Sequence, residues 1–164
     1  MKPIVGLAGG AVVGLLLSLA AEQAMAQTAV AVAKERKEMM GSLWPSYYKD
    51  LNAVAAGQDT NIAASSTKAQ AASAAVKKLA GLFPPGTGRD AAPETRSTPE
   101  VWSQRAEFEA AFAALVSETD KLGEAAKSGS LDAFKAQWAA VGKACGGCHG
   151  GPIKSGGKFR FEAQ

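Results

Sequence analysis

Apolar residues recur at spacings of three and four along most of the chain, and strict alternation of apolar and polar residues is never sustained. The pattern predicts helices and no sheet. In the first stretch, 29–55, the stripe is Met40, Leu43, Tyr47, Leu51 and Val54. The second, 60–82, is alanine-rich and sets Ile62, Ala69, Ala72, Val76 and Leu79 on one side. The third follows "STPE", where Ser97 and Glu100 have capping-box spacing and Pro99 suits a first turn. Its apolar face is Val101, Phe108, Phe112, Leu115 and Leu122. The fourth begins with Ser130 as N-cap and continues through Leu131, Phe134, Trp138 and Val141. The next steps of that stripe fall on Cys145 and Cys148, provided the helix runs on through the intervening glycines.

Between the second and third helices, "FPPGTGRDAAPETRS" holds too much Pro and Gly to be helical and reads as a connecting loop. Pro45 interrupts the first helix by withholding a donor from the Gly41 carbonyl, which favours a kink. Four amphipathic helices predict an all-α, antiparallel four-helix bundle. A buried Leu or Phe contributes about 1.5–3 kcal/mol, and an alanine much less. The second helix is therefore expected to leave a hollow that something else fills.

The first residues stand apart. Lys2 is followed by "IVGLAGGAVVGLLLSLA" and then by the small residues "AMA" at 24–26, the layout of a secretory signal peptide cleaved after Ala26. An uncleaved membrane anchor is the weaker alternative, because the run is Gly-rich and barely long enough to span. Residues 1–26 are thus expected to be a leader and 27–164 a single domain, exported to the periplasm. The chain carries 18 Lys and Arg against 15 Asp and Glu, a net charge of +3. Those charges are scattered, which excludes a nucleic-acid patch.

The candidate chemistry is concentrated in "ACGGCHGG", residues 144–151, which holds both cysteines and the only histidine. Structural zinc takes four Cys or His ligands, and three are present in the whole chain. A redox dithiol sits at a helix start, where the dipole lowers a thiol pKa; this pair sits at a helix end. A disulfide between Cys145 and Cys148 would close a tiny loop and stabilise little. The third chemistry is a covalent haem. C-x-x-C-H lets each thiol join a vinyl group while the adjacent imidazole reaches the iron, and export supplies the compartment that such attachment requires. The cofactor expected is one haem c per chain, held by Cys145 and Cys148, with His149 as the axial ligand of the iron.

With one histidine, a second axial ligand from this chain would be a methionine. Met39 and Met40 remain once the leader is gone, and Met40 shares the face of Leu43, Tyr47 and Leu51. Met40 is either the distal ligand or core packing against the open face. Arg36, one turn earlier, either pairs with a haem propionate or is a solvated helix charge. Phe83 and Trp102 flank the loop and either line the haem or pack in the core.

These residues resemble the class II cytochromes c, which include cytochrome c′ and its low-spin c-556 relatives. "ERKEMM" is similar to the family's arginine followed four positions later by the residue facing the iron. "GLFPPGTG" is similar to the segment after its second helix, "PEVW" to the start of its third, and "VGKACGGCH" to its haem attachment. In the family an aromatic residue and an arginine follow the histidine closely. Here "GGPIKSGG" intervenes before "KFRF", so the resemblance does not carry a propionate role to Arg160, and the insert 150–157 reads as a loop beside the haem edge.

The resemblance implies two functions, neither of them enzymatic. With Met40 bound, the iron is six-coordinate and the protein is an electron carrier for a soluble or membrane-bound redox partner. With that position open, the iron is five-coordinate and takes NO or CO for sensing or protection. Methionine at 40 favours the carrier. A haem-free structural bundle would require the signature to be accidental. A histidine committed to iron leaves no Ser-His or Cys-His pair for nucleophilic catalysis. Lys143, Lys154, Lys158 and Arg160 are candidates for steering an acidic partner. Pairing through the first two helices, as in the family, would make a homodimer, with the small residues of the second helix permitting close approach.

Overall fold

The computed structural model describes residues 9–150 and 156–162, with side chains from residue 25 onward. The expected leader lies outside the described side chains except for Met25 and Ala26, and Lys154 lies outside the described residues altogether. The elements in chain order are α1 (Gly9–Leu43), a π-turn (Trp44–Tyr48), α2 (Lys49–Ala55), α3 (Ser65–Ala80), the short α4 (Glu100–Ser103), α5 (Arg105–Lys127) and α6 (Leu131–His149). The α1–π–α2 rod, α3, α5 and α6 make a four-helix bundle, as expected, with α3 packed chiefly on α5 and α5 on α6. Among the described residues no helix is long and apolar enough to cross a membrane.

Pro45 acts as anticipated, but its effect is a change of register. Having no N–H to donate, it sits in a turn of i to i+5 bonds, closed by the Lys49 N–H on the Trp44 carbonyl. One extra residue is absorbed there. The buried stripe therefore steps from Leu43 to Tyr48, then Leu51 and Val54, and the expected Tyr47 is only half-buried.

The alanine helix also departs from expectation. Ala69, Ala72, Val76 and Leu79 are completely buried, and α3 lies so near α5 that a Cβ added to Gly123 would meet the Ala69 Cβ at 3.6 Å. Small side chains bring the two backbones together instead of leaving a hollow, because dispersion favours contact over void. Those two alanines are thus occupied within the chain and are not available for the close approach of a second copy.

Helix ends follow local chemistry. The Ser130 Oγ accepts from the Ala133 N–H at 3.2 Å, as the N-cap prediction required. At the start of α4 the expected Ser97 cap is not made, and no side chain caps the helix; the Thr98 hydroxyl beside the Glu100 carboxyl holds that group below the usual carboxylate range. Ser97 is instead buried in a β-bridge with Arg160. Gln104, at φ −119° and ψ 48°, separates α4 from α5.

Ser73, on α3, is fully buried and its Oγ has no hydrogen-bond partner. A buried, unpaired hydroxyl is destabilising. Ser73→Ala is expected to raise stability by about 1 kcal/mol and Tm by about 4 °C in thermal unfolding of the intact protein.

Candidate functional site

A cavity of about 390 Å³ opens between α1, α5, α6, the loop after α3 and the C-terminal tail. No residue of α3 lines it. Its position follows from α6. Each mid-helix glycine costs about 1 kcal/mol relative to alanine, yet α6 runs through Gly146 and Gly147 to His149. The Gly150 N–H closes the last turn on the Gly146 carbonyl at 2.8 Å. Gly150 itself has φ +70°, a conformation that ends the helix and suits glycine. Cys145, Cys148 and His149 consequently all reach the cavity wall.

The two cysteines are free thiols, half-buried. Burial pushes both upward, Cys148 to about 11 with a further contribution from Cys145 beside it. Thiols held protonated in this way are poor redox nucleophiles, which argues against the dithiol alternative. Neutral sulfurs facing a mostly apolar cavity suit covalent capture of a flat, largely apolar group.

The opposite wall comes from α1 and the π-turn. Met40 lines the cavity and packs against the core, while Met39 packs on the core without lining the cavity. Tyr48 lines it too, through the one-residue shift at Pro45. Its ring lies 5.9 Å from Trp138, and its hydroxyl is 3.2 Å from the Thr119 Oγ1. Phe83, Phe108 and Phe112 form an aromatic cluster with centroids 4.7–5.6 Å apart and face the same space. Trp102 does not line the cavity; its Nε1 donates to the Pro84 carbonyl at 2.9 Å, and its ring covers Gly88.

Arg36 is only 5 % exposed, so it is not the solvated helix charge that the sequence left open. Its guanidinium donates to the Leu82 carbonyl at 3.1 Å, the Thr87 carbonyl at 3.2 Å, the Thr87 Oγ1 at 3.3 Å and the Thr95 Oγ1 at 2.6 Å. It also lies 4.6 Å over the Phe83 ring. Burial pulls it down to about 10, still charged at neutral pH. All four acceptors are neutral, and Arg36 belongs to none of the described ion pairs. A buried cation on a cavity wall, hydrogen-bonded only to neutral acceptors although Glu94 lines the same cavity, suits an anionic group on the cavity's occupant.

The tail supplies two residues that sequence reasoning set aside. After the glycine-rich insert, Phe159 is buried 5.4 Å from Phe108, and Arg160 lines the cavity. Their signal was the aromatic–arginine pair in "KFRF", masked by its distance from His149. Of the lysines considered for steering, Lys143 is exposed, whereas Lys158 is paired with Glu107.

Residues 31–151 match the family model described as cytochrome C′. Among curated relatives, cytochrome c′ of Rubrivivax gelatinosus is 41% identical over 64 residues, covering 39% of this chain and 50% of that protein. Cytochrome c-556 of Rhodopseudomonas palustris is 38% identical over 53 residues, covering 32% and 34%. These alignments thus span half or less of the curated relatives' length. A nitric oxide complex of a mutant cytochrome c prime from Alcaligenes xylosoxidans superposes with a TM-score of 0.69 at 24% identity, covering 82% of this chain and 97% of that one. That likeness concerns the fold.

Tyr48 provides a pH test of the cavity's interior. Burial pushes its phenol up to about 12. In the unfolded chain it ionises near pH 10, so this stability is whole below about pH 10 and is lost as pH rises through about 12. The loss is about 2–3 kcal/mol. Tyr48→Phe escapes it. The stability advantage of wild type over the variant in urea unfolding is therefore expected to shrink across that window.

Proposed function

The chain belongs to the cytochrome c′ family, itself an established example of the four-helix bundle, and on that premise we propose an exported haem protein that binds a diatomic gas, NO or CO, at an iron left five-coordinate. Members of the family carry covalently bound haem c and are periplasmic. The observation that carries the proposal is the convergence of two neutral thiols and one imidazole, from a single helix end, on a mostly apolar cavity whose rim carries Arg36 and Arg160. Residues 1–26 would be removed on export, leaving Gln27 as the mature N-terminus.

When bound, the haem would supply an iron able to take a small gas. Cys145 and Cys148 would hold the group by thioether links, and His149 would offer the iron a nitrogen. Arg36 offers its buried charge to a propionate while keeping the loop bonded to α1. Phe83, Phe112 and Leu43 give the pocket an apolar inner wall. The mostly apolar inner wall favours a neutral diatomic over strongly hydrated ligands.

The choice between gas binding and electron transfer turns on Met40. Methionine at this position favours a carrier when the sequence is read alone. The family match and the nitric oxide complex of a structural neighbour move the balance to an open iron, with Met40 as an adaptable packing residue on the cavity wall. One observation favours the second function: Met40 lines the cavity and carries a soft donor of the kind haem iron accepts. In that case the protein is a six-coordinate electron carrier.

Mass and absorption spectra of the purified holoprotein separate the two. The mass is expected to exceed that of the bare 27–164 chain by one haem, with a high-spin ferric spectrum, a ferrous spectrum that shifts on adding CO or NO, and no change in Met40→Leu. A low-spin spectrum with a ferric methionine–iron charge-transfer band, lost in Met40→Leu, would transfer the conclusion to the carrier. A colourless protein of bare-chain mass would end both.

A further inference from the structure

The helix that presents Cys145, Cys148 and His149 stops at Gly150, so something else must bring Phe159 and Arg160 to the same cavity. The connection is made by the segment just before α4. The Thr98 N–H donates to the Phe159 carbonyl at 3.3 Å, and the Thr98 Oγ1 donates to the Lys158 carbonyl at 2.7 Å. The Phe161 N–H donates to the Arg96 carbonyl at 2.8 Å, and Ser97 and Arg160 form an antiparallel bridge between these bonds. Thr98 is buried, whereas the neighbouring Lys158–Glu107 ion pair is solvent-exposed and contributes little. At the other end the tail is pressed onto α6: a Cβ on Gly157 would collide with the Gly150 nitrogen and the Cys148 carbonyl. The tail thus runs directly behind the turn that carries His149, held from the front by residues 96–98. The Arg96 guanidinium adds an exposed bond to the Glu162 carbonyl at 3.2 Å, and the Thr98 hydroxyl supplies the more buried of these two side-chain bonds.

We propose that Thr98 is a positioning residue for the haem cavity: by holding residues 158–161 against residues 96–98, it fixes Phe159 as the wall beside Cys148 and His149 and excludes water there. This rests on the haem reading of the cavity. Both Thr98 bonds go to tail carbonyls, at Lys158 and Phe159, and among the described tail residues Phe159 is the buried side chain. Releasing the tail lets water reach the cavity. Water stabilises the more highly charged ferric state, so the reduction potential falls.

The experiment compares wild type, Thr98→Val and Thr98→Ser as holoproteins, with Glu100→Ala removing only the carboxyl beside the same hydroxyl. Thr98→Val is expected to speed amide exchange at Phe161 about tenfold and to lower the reduction potential, with Thr98→Ser and Glu100→Ala staying at wild-type values. Unchanged exchange in Thr98→Val overturns the assignment, as does faster exchange with an unchanged potential. Should that variant not accumulate, Phe159→Ala opens the same wall with Thr98 intact, and an unchanged potential there overturns the assignment equally. The mass of the wild-type protein is read first. Bare-chain mass overturns the haem reading and the role of Thr98 with it, whereas a haem-loaded wild type with an unmoved potential overturns Thr98 alone.

Discussion

Everything about the cavity depends on one helix continuing where its own residues argue for stopping. Gly146 and Gly147 are poor helix formers, and an isolated peptide of this composition would fray before Cys148. Tertiary packing holds the turn in place: Phe134 and Val141 anchor α6 in the core, and the tail closes on its final residues. The space around the two glycines is open, since a Cβ at either would meet nothing within 4 Å. Two thiols and an imidazole thus share one wall without crowding, which attachment of a bulky planar group requires.

Arg36 is the second constraint and works at longer range. The loop after α3 has no regular structure, yet three of its residues, Leu82, Thr87 and Thr95, accept from this single guanidinium. A charge taken out of water is costly unless hydrogen-bonded on all sides. The same side chain therefore organises the loop and leaves a positive field on the cavity wall. It links the first helix to the segment that, a few residues later, grips the tail through Thr98.

Much of this was legible in the residues. Period-3.6 stripes located four helices, Ser130 marked the start of the last one, and the step from Val141 to Cys145 and Cys148 placed the thiols on the inward face. What was hidden had local physical causes. The Tyr47-to-Tyr48 shift came from a π-turn that a fixed period cannot register, although Pro45 advertised an irregularity. The alanines of α3 suggested empty volume because side-chain size was weighed without allowing the backbones to approach. Phe159 and Arg160 were discounted because separation along the chain was taken for separation in space, and the pairing of 96–98 with 158–161 is a non-local contact with no sequence periodicity behind it.

The π-turn has a consequence for how this chain tolerates changes in length. Because that turn absorbs one residue more than an α-helix would, loss of Pro45 itself would let the rod revert to a regular helix with both halves in phase. Arg36 and Met40 would still face the same way relative to Leu51 and Val54. A single-residue deletion, ruinous in most amphipathic helices because each residue turns the face by about 100°, is accommodated at this one junction.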